Sequence, residues 1–191
     1  MQVFRLLRNR YIALAALGGT ASPSALPEPL SVTVARLSRH PELVPLVASW
    51  LRAQWPAWYG PAGNGDAEQD ALRYAQAGAA LPLGLVVFVD AVPVGFGALK
   101  NDGVPPDSVR GPWAGAGYVR PESRRQGIGA LLLLSLVQEA MAMGYSRVFC
   151  GTRTASSLLV RQGWQKLDVV AHGGEQVDVF QSAASLTPCL H

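Results

Sequence analysis

The sequence predicts an α/β (α+β) fold in which a mixed central sheet carries helices on its faces. Two observations lead to this prediction. Strand-like and helix-like hydrophobic patterns follow one another in the order β-α-α-β-β-β-α-β-α-β-β. Hydrophobic residues make up 49% of the 191 positions and charged residues 15%, a composition typical of a globular chain with one sizeable core. We therefore expect one folded domain.

The first half of the chain is expected to form a strand, two helices and a hairpin. Alternating apolar residues predict a strand over 31–37, and apolar residues at helical spacing predict a helix over 38–54. Asp66 is a candidate N-cap for a second helix that extends to residue 77. The apolar runs 85–89 and 94–99 flank a four-residue turn and predict two antiparallel strands.

The second half is expected to alternate strands with helices. A strand with unusually small side chains is predicted over 113–119, and a strongly apolar helix over 127–143 ends before Gly144. The remaining predicted elements are a strand over 146–150, a short helix over 156–161, and closing strands over 166–170 and 176–180 around a turn at 172–174.

These patterns place the domain at residues 31–183. Residues 1–30 are expected to be a flexible N-terminal extension, and residues 184–191 a C-terminal tail. Three arginines before the apolar run 11–17 resemble a weak signal peptide, while a disordered extension and a misplaced start are equally compatible with the pattern. The run is shorter than the roughly 20 residues of a membrane span, so no membrane association is expected.

The charge and the cysteine content indicate which ligands and which cellular compartment to expect. The net charge is +3, and most of that excess lies in the first thirty residues, so the body is nearly neutral and lacks a basic stripe. A nucleic-acid partner is therefore not expected. Cys150 and Cys189 lie far apart without metal-ligand spacing, which predicts free thiols, no metal site and a cytoplasmic protein. Composition leaves a monomer and a homodimer equally open.

Residues 119–131 combine a strand end, an arginine-bearing turn and the start of the long helix. Gly127 and Gly129 let the backbone curl closely, and the first amides of the helix lack partners within it. Together with the helix dipole, Arg124 and Arg125 make this turn suitable for a phosphate group. A P-loop would need Gly-Lys-Ser/Thr here, and a dinucleotide fingerprint would need glycine or alanine where Leu132 stands.

In this context the turn resembles motif A of the GNAT acetyltransferase superfamily, whose pattern is Gln/Arg-x-x-Gly-x-Gly/Ala. Arg124, Gly127 and Gly129 occupy its fixed positions. Residues 158–164 are similar to the family segment that ends in Gly-Phe or Gly-Trp, and residues 173–180 resemble its closing strand. The resemblance covers about residues 31–181 and implies a GNAT-like fold, in which the mixed sheet is mostly antiparallel.

The resemblance implies that acetyl-CoA binds as co-substrate. Backbone amides of the turn would hold its pyrophosphate, and its pantetheine arm would pair with the strand that ends at Val119, beside residues 152–157. A backbone N–H near Val119 would polarise the thioester carbonyl. The donor-binding residues implied in this way are Val119, Arg124, Arg125, Gln126, Gly127, Ile128, Gly129 and Ala130.

The sequence departs from the family pattern at both expected proton-transfer positions. Relatives carry a strand carboxylate where residues 114–117 are alanine and glycine, and a tyrosine where this chain has Leu159. His172, before the glycine turn, is a candidate general base, and Tyr118 is a second catalytic candidate. A solvated turn histidine and a packed strand tyrosine are the alternative interpretations.

Candidate acceptor-binding residues are aromatic or acidic. Trp55, in the aromatic loop 55–61, and Trp113 are candidates to line the acceptor pocket, although helix-end aromatics are also common core anchors. Asp102 and Asp107 are candidates to attract a cationic amine. The small side chains around Gly117 would leave room for the acceptor.

The predicted function is N-acetyl transfer from acetyl-CoA to a primary amine of a small molecule or peptide, directly within a ternary complex. The alternatives are a catalytically degenerate CoA-binding regulatory module and a surface interaction protein. The sequence leaves the acceptor open among peptide N-termini, polyamines, aminoglycosides and small metabolites.

Overall fold

The computed structural model describes residues 3–4, 30–104 and 109–183. Its eight strands form one sheet in the order β1-β2-β3-β4-β5-β6-β8-β7, and every neighbouring pair is antiparallel except β5–β6. The strands are β1 (Val3–Phe4), β2 (Val32–Arg36), β3 (Leu83–Val89), β4 (Val92–Lys100), β5 (Trp113–Val119), β6 (Phe149–Thr152), β7 (Gln165–His172) and β8 (Glu175–Gln181). The predicted mixed, mostly antiparallel sheet is confirmed.

Five helices connect or flank the strands in the described part of the chain. They are α1 (Val44–Gln54), α2 (Pro56–Tyr59), α3 (Ala67–Tyr74), α4 (Ile128–Ala142) and α5 (Ser156–Arg161). Asp66 caps α3 as predicted, because its Oδ1 accepts the Gln69 N–H at 3.0 Å. Within residues 30–104 and 109–183, none of these helices is long and apolar enough to cross a membrane.

The first helix begins later than predicted. Two single 3₁₀ turns, Leu37–Arg39 and Pro41–Leu43, occupy the segment before α1. His40, between them, has a non-helical backbone (φ −136°, ψ 57°). Because a proline disfavours the helical conformation in the residue before it, Pro41 prevents a continuous helix from residue 38.

The hairpin turns are tighter than predicted. Asp90 and Ala91 alone reverse the chain between β3 and β4, with φ of 48° and 64° at the two central residues. At the other hairpin, Gly173 and Gly174 make the turn with φ of 60° and 78°, so His172 is the last residue of β7 and not part of the turn.

The strand predicted over 146–150 is displaced toward the C-terminus and includes Gly151. A glycine usually weakens a strand. Here the position is crowded, because a Cβ on Gly151 would lie 3.2 Å from Val104 and 3.3 Å from Val177. The glycine permits close packing within β6 and does not end the strand.

The sheet divides the core in two. One face packs against α4 and α5, with Leu132, Leu136 and Leu159 among its buried residues. The other face packs against α1 and α3, where Trp50 and Phe96 are buried. The sheet therefore lies between two layers of helices, and each of these helices buries an apolar face against it.

Candidate active site

The sheet opens between β5 and β6. These strands run parallel but share one register pair, Trp113 with Phe149, next to a hydrogen bond from the Phe149 N–H to the Pro112 carbonyl at 2.9 Å. After this point β6 pairs only with β8 on its far side. Within the described residues, the edge of β5 that faces β6 therefore has no strand partner over residues 114–119.

A β-bulge precedes the end of β5. Ala98 lies opposite Gly115, whereas Phe96 lies opposite Tyr118, so β5 has one residue more than β4 between these pairs. Ala116 adopts a left-handed backbone with φ of 52° within the bulge. Because one extra residue inverts the alternation of side chains, Tyr118 faces the α1 side of the sheet together with Phe96.

The backbone of Val119 faces the open gap. The Arg120 N–H donates to the Val94 carbonyl on β4 at 2.9 Å. Because successive residues of a strand alternate in the direction of their polar groups, the Val119 N–H and carbonyl point away from β4. The carbonyl accepts the Arg124 Nε–H at 2.9 Å, and the N–H faces the gap beside it.

The turn after β5 forms an anion cradle, a name used here for residues 124–130. Arg125 and Gly127 both have left-handed backbones, with φ of 58° and 85°. The Gln126 side chain donates to the Glu122 carbonyl at 2.9 Å and fixes the turn from within. The cradle therefore joins the end of β5 directly to the start of α4.

The amides at the start of α4 are available to a ligand. No side chain caps the helix, and the Leu131 N–H to Gly127 carbonyl bond of 3.0 Å is the first of its i to i−4 bonds. The N–H groups of Ile128, Gly129 and Ala130 therefore have no partner within the helix. A Cβ on Gly127 would meet no atom within 4 Å, so the cradle opens to free space. This arrangement fits a pyrophosphate.

The segment between β6 and α5 lies beside the cradle. A Cβ on Gly129 would lie 3.2 Å from the Leu158 side chain, so α5 packs against the first turn of α4. Thr152 Oγ1 accepts the N–H groups of Thr154 and Ala155 at 3.2 and 2.9 Å and holds the approach to α5 in place. The segment thus lies next to the cradle, and the role of residues 152–157 beside the donor stays a prediction.

A polar network anchors the start of α5 to the sheet. Ser156 Oγ–H donates to Asp178 at 2.6 Å, and Lys166 Nζ lies 2.7 Å from the other oxygen of that carboxylate. Hydrogen bonds from Lys166 and Ser156 lower the pKa of Asp178, which keeps it ionised at neutral pH. Because the Asp178 carboxylate is ionised and contacts both Ser156 and Lys166, it is a poor proton acceptor, and its contacts hold α5 against the sheet.

Tyr118 stacks on Trp50, with ring centroids 5.0 Å apart and planes at 22°. Trp50 is buried on α1, and Tyr118 is half-buried beside Val119. Trp55, at the α1–α2 junction, packs on the edge of the same core. The structure thus places two of the predicted site residues, Tyr118 and Trp55, against the same hydrophobic core, with a ring contact between Tyr118 and Trp50.

His172 lies far from the end of β5. It is exposed on β7, the outermost strand, three positions from β5 in the sheet. A strand spacing of about 4.8 Å separates these strands by roughly 14 Å even without the opening at β6. Since a general base must lie within hydrogen-bond reach of its proton, this placement argues against the catalytic role predicted for His172.

Trp113 is an interior residue. Its side chain is 1% exposed, its Nε1–H donates to the Arg110 carbonyl at 2.7 Å, and its ring contacts Phe149. A residue enclosed in this way has no surface for an acceptor, which argues against the predicted acceptor contact. Trp113 instead closes the base of the gap, where β5 and β6 last pair.

Asp102, in the predicted acidic loop, lies far from Val119. Asp102 follows β4, at the edge of the sheet opposite Val119, and β5 spans about 20 Å between those edges. Asp107 lies outside the described residues. The attraction of a cationic amine by Asp102 is therefore not supported by its position.

Two further positions bear on the chemistry. Leu159, where relatives carry the tyrosine acid, is completely buried in the α4 face of the core. Burial raises the pKa of the half-buried Cys150 thiol to about 12, so the thiol is protonated at neutral pH. Neither residue is placed to give or take a proton during acyl transfer.

The sequence prediction missed the contribution of Trp50. Its helical spacing with Val47 and Leu51 indicates a core position, which is correct. Only the strand register and the bulge place it against Tyr118, and no pattern in the sequence predicts that contact. The glycines on either side of Ala116 were the one available signal of an irregular strand.

The open sheet, the left-handed glycine turn and the uncapped helix after it define the fold class of the CoA-dependent acetyltransferases. The profile of the Acetyltransferase (GNAT) family matches residues 45–162, more than half of the chain, and the chain belongs to that family. The comparison with curated protein sequences finds no match.

Solved structures share the fold at low sequence identity. An aminoglycoside 6'-N-acetyltransferase complexed with coenzyme A is similar with a TM-score of 0.65 and 14% identity, over 82% of this chain and 99% of its own. A putative GNAT acetyltransferase from Desulfovibrio desulfuricans has a TM-score of 0.63 and 17% identity, over 81% and 99%. N-acetylglutamate synthase from Neisseria gonorrhoeae, complexed with coenzyme A and L-arginine, has a TM-score of 0.57 and 16% identity, over 79% of this chain and 32% of its own.

Proposed function

We propose that this protein transfers an acetyl group from acetyl-CoA to a primary amine, directly and within a ternary complex. The observation that carries the proposal is the continuous donor surface formed by the free edge of β5, the Val119 N–H and the anion cradle. Coenzyme A in two of the similar structures supports the choice of donor. The acetyl thioester supplies the activated carbonyl.

The cradle residues would bind the donor through their backbone. The N–H groups of Ile128, Gly129 and Ala130 would donate to the pyrophosphate, with Arg124 and Arg125 adding positive charge. The free edge of β5 would pair with the amide groups of the pantetheine arm. Because these contacts would be made mainly by the backbone, donor binding would depend more on the backbone conformation at Gly127 and at the bulge than on the identity of the side chains.

Val119 would supply the electrophilic assistance. Its N–H faces the gap at the end of β5, where it would stabilise negative charge on the thioester oxygen. The following peptide unit is fixed at both ends, because the Val119 carbonyl accepts from Arg124 and the Arg120 N–H donates to Val94, and this restrains the backbone at Val119. Proximity of the bound amine and exclusion of water would provide the remaining rate acceleration.

Direct transfer predicts that Cys150 is dispensable. Because burial raises the pKa of the Cys150 thiol to about 12, the reactive thiolate is scarce at pH 7. We expect Cys150→Ala to retain kcat within about twofold, and intact-protein mass after incubation with acetyl-CoA to lack a stable acetyl adduct. Loss of turnover in a folded Cys150→Ala protein, or an adduct that disappears when amine is added, would contradict direct transfer.

Gly117 tests the space for the acceptor. The residue is exposed, and a Cβ there would meet no atom within 4 Å. We expect Gly117→Val to raise the acceptor KM about tenfold, with CoA affinity unchanged, because the added side chain would fill open space near the end of β5. Steady-state kinetics with varied amine measure this effect. An unchanged acceptor KM would argue against acceptor binding at this position.

A competing function is a CoA-binding regulatory module without turnover. The buried Leu159 and the missing carboxylate on β5 favour it. Calorimetric titration with CoA, followed by thiol release with acetyl-CoA and an amine panel, separates the two functions. We expect binding together with amine-dependent thiol release. Tight binding without turnover on any amine would support the module, and absence of CoA binding would refute both functions.

A further inference from the structure

In the described part of the chain, the side of the gap that faces α1 presents an aromatic residue. Tyr118 is the residue before Val119, and the bulge turns its ring onto the α1 face against Trp50. Trp55 and Tyr59 pack against the same hydrophobic core as Trp50 and Tyr118. Gly117, the residue before Tyr118, is exposed, and a Cβ there would meet no atom outside its chain neighbours within 4 Å. The Val119 N–H therefore lies next to an aromatic surface.

The three elements that carry these aromatic residues contain no acidic residue. None occurs in α1, α2 or β5. The nearest carboxylates on α3 already have partners, because Glu68 pairs with Arg52 and Asp70 with Arg73. Asp70 also accepts the Tyr59 hydroxyl at 2.7 Å.

Carboxylates on the other side of the gap are engaged as well. Glu122 pairs with Arg120, Glu175 with Arg153, and Asp178 with Lys166 and Ser156. A polycationic acceptor would have to displace one of these partners to gain a counter-charge. An amine whose remaining part is uncharged would leave every pair intact.

We propose that the accessible part of the Tyr118 ring, supported from behind by the buried Trp50, is the acceptor-binding platform and that the acceptor is a monoamine with an apolar, preferably aromatic, substituent, not a polyamine or an aminoglycoside. This inference rests on the proposed acetyltransferase function. Aromatic contact with such a substituent contributes about 0.5–1.5 kcal/mol beyond area burial, or roughly 2- to 12-fold in affinity. Tyr118 acts here through its ring and not as an acid.

The test uses the full-length enzyme with 2-phenylethylamine, butylamine, spermidine and kanamycin as acceptors. We expect kcat/KM for 2-phenylethylamine to exceed that for spermidine and kanamycin by at least about tenfold. Tyr118→Leu should raise the KM for 2-phenylethylamine about 3- to 10-fold, with a smaller change for butylamine and little change in kcat. Tyr118→Phe should restore the wild-type KM, because it retains the ring.

Tyr74→Leu is the matched control. Tyr74 also contacts Phe96 in this core, at 5.7 Å between centroids, but it lies on α3 over β3 and away from the gap. The Tyr74→Leu variant should lower the free energy of unfolding without changing the KM for 2-phenylethylamine. A preference for spermidine or kanamycin, or equal KM values for wild-type and Tyr118→Leu, would overturn this inference while leaving amine acetylation intact. Absence of transfer to any amine would instead overturn the proposed function.

Discussion

Gly127→Val is expected to weaken CoA binding by about 10²- to 10⁴-fold. Gly127 has φ of 85°, and a β-branched residue adopts this backbone only at a cost of about 1–2 kcal/mol or more. Relief of that strain would rotate the amides of the cradle, and a charge-assisted hydrogen bond contributes about 1.5–3 kcal/mol. Loss of two such bonds gives the expected range, which titration calorimetry can measure.

Gly144→Val is the control that distinguishes an effect of backbone strain on folding from a direct effect on CoA binding. Gly144 follows the other end of α4 with φ of 89°, and a Cβ there would also meet no atom within 4 Å. Both variants should lose a similar free energy of unfolding in urea titrations, whereas Gly144→Val should bind CoA like the wild-type protein. Wild-type affinity in Gly127→Val would refute the placement of the pyrophosphate, and a matching loss in Gly144→Val would attribute the effect to folding.

Val119→Pro is expected to lower kcat by about 10²- to 10³-fold. The substitution removes an N–H that faces the gap and makes no bond to β4, so the ladder between β4 and β5 is retained. The loss of one donor to a developing oxyanion has an effect of this size in acyl transfer. Stopped-flow or steady-state thiol release at saturating acetyl-CoA measures it.

Two companion variants make this result specific. Val119→Ala retains the N–H and should keep kcat within about threefold. The α-hydroxy acid analogue of valine at position 119 replaces the N–H by oxygen without the bulk of a proline ring, and it should reproduce the loss in kcat. Near wild-type kcat for the ester protein would show that another group stabilises the oxyanion.

The local elements of the fold could be predicted because their signals are local. Asp66 predicts its helix start through a side-chain cap, and Gly144 marks a helix end through its positive φ. The onset of α1 could not be placed by apolar spacing alone, because Pro41 changes the conformation of His40 without interrupting the hydrophobic pattern.

The two sides of the site differ in how far the sequence predicts them. The cradle is a contiguous run of residues, so its geometry follows from glycine positions and helix ends. The aromatic platform depends on the extra residue in β5, which decides the face that Tyr118 occupies. His172 and Trp113 were assigned by residue type and motif position, without knowledge of strand order or burial.

In the proposed function, the cradle and the end of β5 together hold acetyl-CoA while its acetyl group passes to an amine. The most direct test is mass spectrometry of the amine after incubation of the enzyme with acetyl-CoA and 2-phenylethylamine, with thiol release recorded in parallel. We expect one acetyl group on the amine nitrogen for each CoA thiol released, and the loss of both signals in Gly127→Val. Thiol release without acetylated amine, or equal product from Gly127→Val at low acetyl-CoA concentration, would contradict it.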